Sequence, residues 1–531
     1  MRRITWAVSI LLAATSCLQA QSKKQPNILY IMSDDHTTQA VGVYGSRLAS
    51  LNPTPVIDKL AREGMVFNNC FATNSLCTPS RATIVTGQYS QTNGVLELNQ
   101  ELPSSRHYLP QEMKKLGYQT AIVGKWHLIA EPADFDYYCT LIGQGKYFDP
   151  PLNVRGEKPW PQSIITKNGH SSDVLTDISI EWLKKGRDKN KPFFLMHHFK
   201  APHDMFEFAP RYKDYLAHTF IPEPASLYYN GKNGSVGTRG YGDSMTSIIG
   251  ASLSKRDTLW GLGRKLGIPS SVPDPEYRHL VYQEYLKRYL RCVKGIDDNV
   301  ARLIATLEEE GLMENTIIIY TGDQGFMLGE HDYMDKRWMY EESMRMPFIV
   351  RYPAAVKAGS RTDAMVNNAD FAPTLIELAG GKTPAYMQGH SFKQVLETGK
   401  EPVGWQQSVY YRYWMHMAHD LGVPAHVGIR TKDYKLICFY GRYWIDGHEA
   451  YKKKFPNKRW DPHYAIETPV AWELYDLRND PGEMNNLYGN PAYDAIVKEL
   501  KQELLLKRKR LNDEDSGFPH LRQVINRHWN D

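Results

Sequence analysis

Thr316–Thr321 (T-I-I-I-Y-T) is the clearest buried strand in the chain: a β-branched run without polar alternation leaves no face for water. It runs straight into Gly322-Asp323-Gln324-Gly325, where flanking glycines let the backbone turn tightly while an acid and an amide oxygen point at one spot. A second such run, Asn27–Met32 (N-I-L-Y-I-M), ends in Ser33-Asp34-Asp35-His36. Adjacent carboxylates at the end of a buried strand are costly unless compensated, and a divalent cation is the usual compensation; a solvated turn is the alternative. Further strands are predicted at Met65–Ala72, Gln119–Val123, Pro192–Phe199 and Phe348–Arg351. Helices are predicted at Thr54–Arg62, Pro110–Leu116, Ser172–Lys185 and Phe371–Ala379, with one or two more in Glu276–Glu310. This alternation predicts an α/β fold: a large, mostly parallel sheet flanked by helices, with its site at the strand C-terminal ends.

Chemistry-bearing residues cluster after those strands. Cys77–Gly87 (C-T-P-S-R-A-T-I-V-T-G) predicts a helix from near Thr78, because Pro79 suits a first helical turn. Arg81 falls four positions after Cys77, so both share a face beside unpaired N–H groups and the positive end of the helix dipole. That arrangement suits attack on a sulfate or phosphate ester; a buried cysteine capping an ordinary helix is the plainer reading. Gly124-Lys125-Trp126-His127 closes the Gln119–Val123 strand and puts a cation and a titratable base together, unless both are surface residues. His203, in Lys200-Ala-Pro-His203, lies just past another strand, where a backbone-bonded loop histidine is the alternative.

Cys-x-Pro-x-Arg followed by Thr-Gly resembles the signature of the type I sulfatases, whose fold is alkaline phosphatase-like. The Gly-Lys-Trp-His block, the Gly-Asp-Gln-Gly turn, the Asp335–Ser343 block and Trp472-Glu-Leu-Tyr-Asp-Leu followed by Asp480-Pro-Gly-Glu recur in the family's order, so the resemblance covers nearly the whole mature chain. It implies that a maturation enzyme oxidises Cys77 to formylglycine, whose hydrated aldehyde is the nucleophile. It further implies a Ca²⁺ ion held by Asp34, Asp35, Asp323, Gln324 and the group at position 77. Arg81, Lys125 and Lys336 would stabilise the sulfate charge, His203 would protonate the leaving alcohol, and His127 would help to regenerate the aldehyde. His390, in Gly389-His390-Ser391, matches a loop near the substrate.

The implied substrate is a sulfated glycan, with 6-O-sulfated N-acetylglucosamine of glycosaminoglycans or mucins as the specific expectation. A broad arylsulfatase, a phosphomonoester or phosphonate hydrolase, and a non-catalytic sulfated-glycan-binding protein are the alternatives. A net charge of +5 over 531 residues gives no argument for nucleic acid. No internal apolar run approaches the roughly 20 residues of a membrane span. Arg2 and Arg3, the apolar Ile4–Ala14 and Leu18-Gln19-Ala20 read as a signal peptide over residues 1–20 of an exported protein. A lipoprotein signal ending at Cys17, after the loose lipobox Ala14-Thr15-Ser16, is the competing reading; signal style and resemblance imply a bacterial periplasm, with an outer-membrane lipid anchor as the variant. The six cysteines are scattered, with no zinc-like spacing.

Residues 24–400 are expected to form the catalytic domain and 401–531 a smaller C-terminal α+β subdomain. There Ser408–Trp414, His426–Thr431, Tyr434–Tyr440 and Glu473–Asp476 would make an antiparallel sheet, with a helix at Tyr493–Lys509. Glu131–Gly169 reads as irregular surface structure, Pro222–Pro275 as a long loop, and Lys507–Arg510 as a solvated helix face.

Overall fold

The computed structural model describes residues 24–228, 234–239, 252–256 and 261–531. The signal-peptide segment, the Cys17 reading and part of the 222–275 stretch lie outside the described residues.

The main sheet has ten strands among the described residues: β1 (Asn27–Asp34), β2 (Met65–Phe67), β3 (Gln119–Lys125), β4 (Tyr137–Leu141), β5 (Pro151–Val154), β6 (Ile164–Thr166), β7 (Phe193–Pro202), β8 (Thr316–Gly322), β9 (Phe348–Arg351) and β10 (Ser360–Thr362). Their order is β10-β2-β9-β8-β1-β7-β3-β4-β5-β6. The central five, from β8 to β4, are parallel; β9 on one side and β5 on the other run antiparallel to them, and β6 pairs antiparallel with β5. All of β1 is buried, because both faces carry a core. Leu29 and Ile31 join the cluster under α1 (Pro55–Arg62), α3 (Ser171–Glu181) and α4 (Glu276–Glu309), while Ile28, Tyr30 and Met32 join the one under α2 (Cys77–Thr86) and α5 (Phe371–Leu378). Burial on both sides is why these strands do not alternate, and each such side chain contributes about 1.5–3 kcal/mol.

A second sheet, β11 (Ser408–Tyr413), β12 (His426–Thr431), β13 (Tyr434–Phe439) and β14 (Ala471–Asp476), is antiparallel throughout and packs against α6 (Asp494–Arg510). Its core also takes in Trp338, Met339 and Tyr340, so the 335–343 block is clamped by the C-terminal sheet.

Three expectations need correction. The 131–169 stretch is not irregular: β4, β5 and β6 extend the main sheet from it. Its strands are short and separated by glycine and proline turns, and β6 is an exposed edge, so none carries the apolar run of a central strand. The strand expected over 65–72 breaks into β2 and a separate Cys70–Phe71 pairing with Val366–Asn367. The basic run at 507–510 is partly packed: Arg508 is buried against Asp515, and Lys507 donates to the Ser408 carbonyl. No helix of the described residues is long and apolar enough to cross a membrane.

One glycine sets the approach of β3 to β7. Gly124 has φ +109°, and a Cβ there would sit 1.8 Å from the His198 carbonyl oxygen. Gly124→Ala is expected to cost about 1–3 kcal/mol of stability, read from the denaturant midpoint, and to displace Lys125 with a loss of turnover.

Candidate active site

The C-terminal ends of β1, β8 and β3 converge on the N-terminus of α2. Cys77 is the first residue of that helix, after an extended Leu76, and the helix stops at Gly87 in the left-handed conformation. The Cys77 thiol is buried and donates to Asp34 Oδ1 at 3.3 Å. Asp35 takes a left-handed φ of 67°, which turns its side chain beside that of Asp34. Its N–H donates to Asp323 Oδ1 at 3.1 Å, and its carbonyl accepts from the Tyr289 hydroxyl at 2.7 Å. Carboxylate oxygens of Asp34, Asp35 and Asp323 lie within 4.8 Å of one another.

Each carboxylate has a cation. Arg81 donates through Nε and Nη2 to Asp323 Oδ2 at 3.0 and 2.8 Å, and its Nη2 lies 3.6 Å from Asp34 Oδ1. Lys125 Nζ donates to Asp34 Oδ2 and, at 2.5 Å, to Gln144 Oε1. Lys336 Nζ donates to both oxygens of Asp35, at 2.6 and 2.7 Å. Burial acts against the charged form of Asp34, but Lys125, His203, Arg81 and Lys336 together hold its carboxyl well below the usual range. Asp323 is pushed up to about 7 by burial and by the neighbouring Asp34 charge. Burial and Asp34 push the Cys77 thiol up, so the encoded side chain is a poor nucleophile here.

The donor set suits a hard dication. Three buried carboxylates converge, and Gln324 Oε1 is buried without a hydrogen-bond partner while its Nε2 donates to Asp35 Oδ1. A calcium ion taking these oxygens would satisfy the orphaned amide oxygen and relieve the carboxylate repulsion. Asp34, Cys77 and His203 form a second cluster whose ligand atoms lie within 4.8 Å of one another.

Two of the three histidines expected at the site, His203 and His127, are at its edge. His203 Nδ1 meets Asp204 Oδ1 at 2.6 Å, and its Nε2 lies 3.8 Å from Asp35 Oδ2. His127, at φ 56°, places Nδ1 3.4 Å from Thr78 Oγ1, and burial with the Lys125 and Arg81 charges keeps it neutral. His390 is not brought to the cluster: its ring is exposed and meets Arg510. Sequence reasoning missed Gln144, which lies in the stretch read as irregular, and His198, whose Nδ1 lies 3.0 Å from the Lys125 carbonyl that Arg81 Nη1 also reaches. It also missed Asp204, whose only local signal is that it follows His203.

A neutral histidine and a cation-lined carboxylate site at a helix N-terminus suit a hydrolase for anionic esters. The sulfatase family profile matches residues 26–381, and the profile described as N-sulphoglucosamine sulphohydrolase, C-terminal, matches 329–464 and 457–510. An N-acetylglucosamine-6-O-sulfatase of Bacteroides thetaiotaomicron is 39% identical over 95% of this chain and 90% of its own. An N-acetylglucosamine-6-sulfatase of Capra hircus is 25% identical over 92% of this chain and 83% of its own. A solved structure in complex with its substrate D-glucosamine-2-N,6-O-disulfate superposes with a TM-score of 0.79 at 37% identity, covering 93% of this chain and 99% of that one. The chain belongs to the sulfatase family, whose members hydrolyse sulfate esters.

Replacing Arg81 strands a buried carboxylate. In chelator, where no added cation compensates Asp323, Arg81→Met is expected to lower unfolding free energy by about 3–5 kcal/mol, measured by denaturant titration.

Proposed function

We propose that this sulfatase removes the 6-O-sulfate of N-acetylglucosamine-type residues in sulfated glycans, using formylglycine at position 77 and one Ca²⁺. The observation that carries the catalytic part is the buried Cys77 at the positive end of α2, facing three carboxylates and three cations. The names of the relatives and the substrate of the solved neighbour support the glycan and its 6-position.

Asp34, Asp35, Asp323 and Gln324 would hold the calcium ion, which when bound supplies Lewis-acid charge for a sulfate oxygen. Formylglycine supplies the hydrated aldehyde as nucleophile, a role the high-pKa thiol cannot fill. Arg81, Lys125 and Lys336 orient the sulfate and balance its charge. His203 delivers a proton from Nε2 to the leaving oxygen, because Asp204 holds its Nδ1. His127, neutral and at the opposite edge, accepts a proton when the resting enzyme is restored. Residues 24–400 serve as the catalytic unit and 401–531 as a supporting subdomain. Maturation takes place by a formylglycine-generating enzyme, and the chain works after export, in a bacterial periplasm.

Sulfate release from a panel of sulfated mono- and disaccharides tests the reading. Formylglycine-bearing protein is expected to release sulfate from the 6-O-sulfated N-acetylglucosamine members, and Cys77→Ala from none. Preference for nitrophenyl sulfate or for phosphonate monoesters would replace the substrate assignment. Asp323→Ala and full chelation are each expected to abolish turnover, with calcium binding lost calorimetrically in the variant; activity surviving both would sink the metal assignment.

A further inference from the structure

Lys200 stands at the end of β7, where the pairing with β1 slips: Met32 pairs with His198 but Asp34 with Pro202, so three β7 residues face one residue of β1. A bulge at a strand end re-aims side chains. The side chain of Lys200 is only 4% exposed, and its ammonium lies over the Tyr147 ring at 4.8 Å. It makes no hydrogen bond or ion pair with any described residue. The other cations of the site each have a carboxylate: Arg81 has Asp323, Lys125 has Asp34 and Lys336 has Asp35. Asp204, whose charge Lys200 also feels, is engaged by His203 at 2.6 Å.

Lys200 nevertheless belongs to the site. One short loop serves all three neighbours: Gln144 takes Lys125 Nζ, Tyr147 roofs Lys200, and the Tyr147 hydroxyl donates to the His203 carbonyl. Burial and then the Lys125 charge depress the Lys200 ammonium, opposed by Asp34, Asp204 and Asp35. A buried ammonium without an anion is destabilising, and a π face compensates only part of the lost hydration.

We propose that Lys200 is a substrate-binding cation, a further contact for the sulfate group whose charge the chain leaves for its anionic ligand to neutralise. This rests on the sulfatase reading of the site. None of the roles implied by the cysteine motif includes it.

The test uses mature, calcium-loaded protein with Lys200→Met, which keeps packing on Tyr147, and Lys200→Arg, which keeps the charge. Thermal unfolding in increasing inorganic sulfate reads anion binding independently of turnover. In Lys200→Met the melting temperature without sulfate is expected to hold or rise, while sulfate affinity and kcat/KM for the sulfated sugar fall by about tenfold or more. Lys200→Arg should recover most of both, with calcium affinity unchanged in either variant. The proposal is overturned if Lys200→Met keeps sulfate affinity within about twofold of wild type. It is overturned equally if both variants lose melting temperature and affinity together, or if wild-type protein gains nothing from sulfate. A wild type that is stabilised by sulfate yet turns over no sulfated sugar would fail the substrate reading alone.

Discussion

Three carboxylates that meet in one buried spot are the constraint the fold answers. Asp34, Asp35 and Asp323 come from the ends of adjacent strands, β1 and β8, whose parallel pairing sets Ser33 against Gly322. Parallel strands bring their C-terminal ends to one edge, so acids that are distant in sequence become neighbours. The cost of that meeting is met by cations placed with equal care. Arg81 arrives from the first turns of α2, Lys125 from the last residue of β3, and Lys336 from the block clamped by the second sheet. Remove any one element and a buried charge is left alone, which is worse than having neither partner.

The charge balance that results also selects the ligand. Three carboxylates and three paired cations cancel, so a bound dication leaves the centre positive before any substrate enters. A sulfate ester brings one negative charge and weakly basic oxygens, and it fits a site whose surplus is spread over several donors. The unpaired ammonium of Lys200 adds to that surplus. The α2 dipole and its free N–H groups act in the same direction at position 77.

How much of this is legible in the sequence depends on whether the signal is local. β1 and β8 can be read directly, because a strand buried on both faces is apolar at every position, and the residues that end it carry the chemistry. Asp34, Asp35 and Asp323 are legible for the same reason, and Cys77 with Arg81 through helical spacing and the family motif. β4, β5 and β6 are not, because edge strands need no continuous apolar run; Ile164–Thr166 is exposed along its length. Gln144 is hidden with them, since its meaning comes from Lys125 across the sheet edge. His198 and Lys200 sit in an apolar strand and look like interruptions of it; only the bulge and the packing of Tyr147 give them a direction. His390 is the reverse case, a loop matching a familiar pattern whose ring turns to Arg510 and not to the carboxylates.

The C-terminal sheet looks like an appendage in sequence, since its texture changes and its strands are short. Its physical role is tighter than that. The Tyr411 hydroxyl, from β11, accepts the Ser75 N–H at 3.3 Å and donates to the Arg337 carbonyl at 2.6 Å. The Arg337 N–H in turn donates to the Ser75 carbonyl at 3.1 Å. One tyrosine therefore ties the loop entering Cys77 to the loop leaving Lys336, and Trp338 and Met339 bury the far end of that second loop in the sheet's own core. Lys336 is a long, flexible side chain, and fixing its backbone from both sides lowers the entropy lost when its ammonium meets Asp35. The carboxylates and the helix that carries Cys77 belong with the main sheet, but the distance between position 77 and the Lys336 charge is set by the small one.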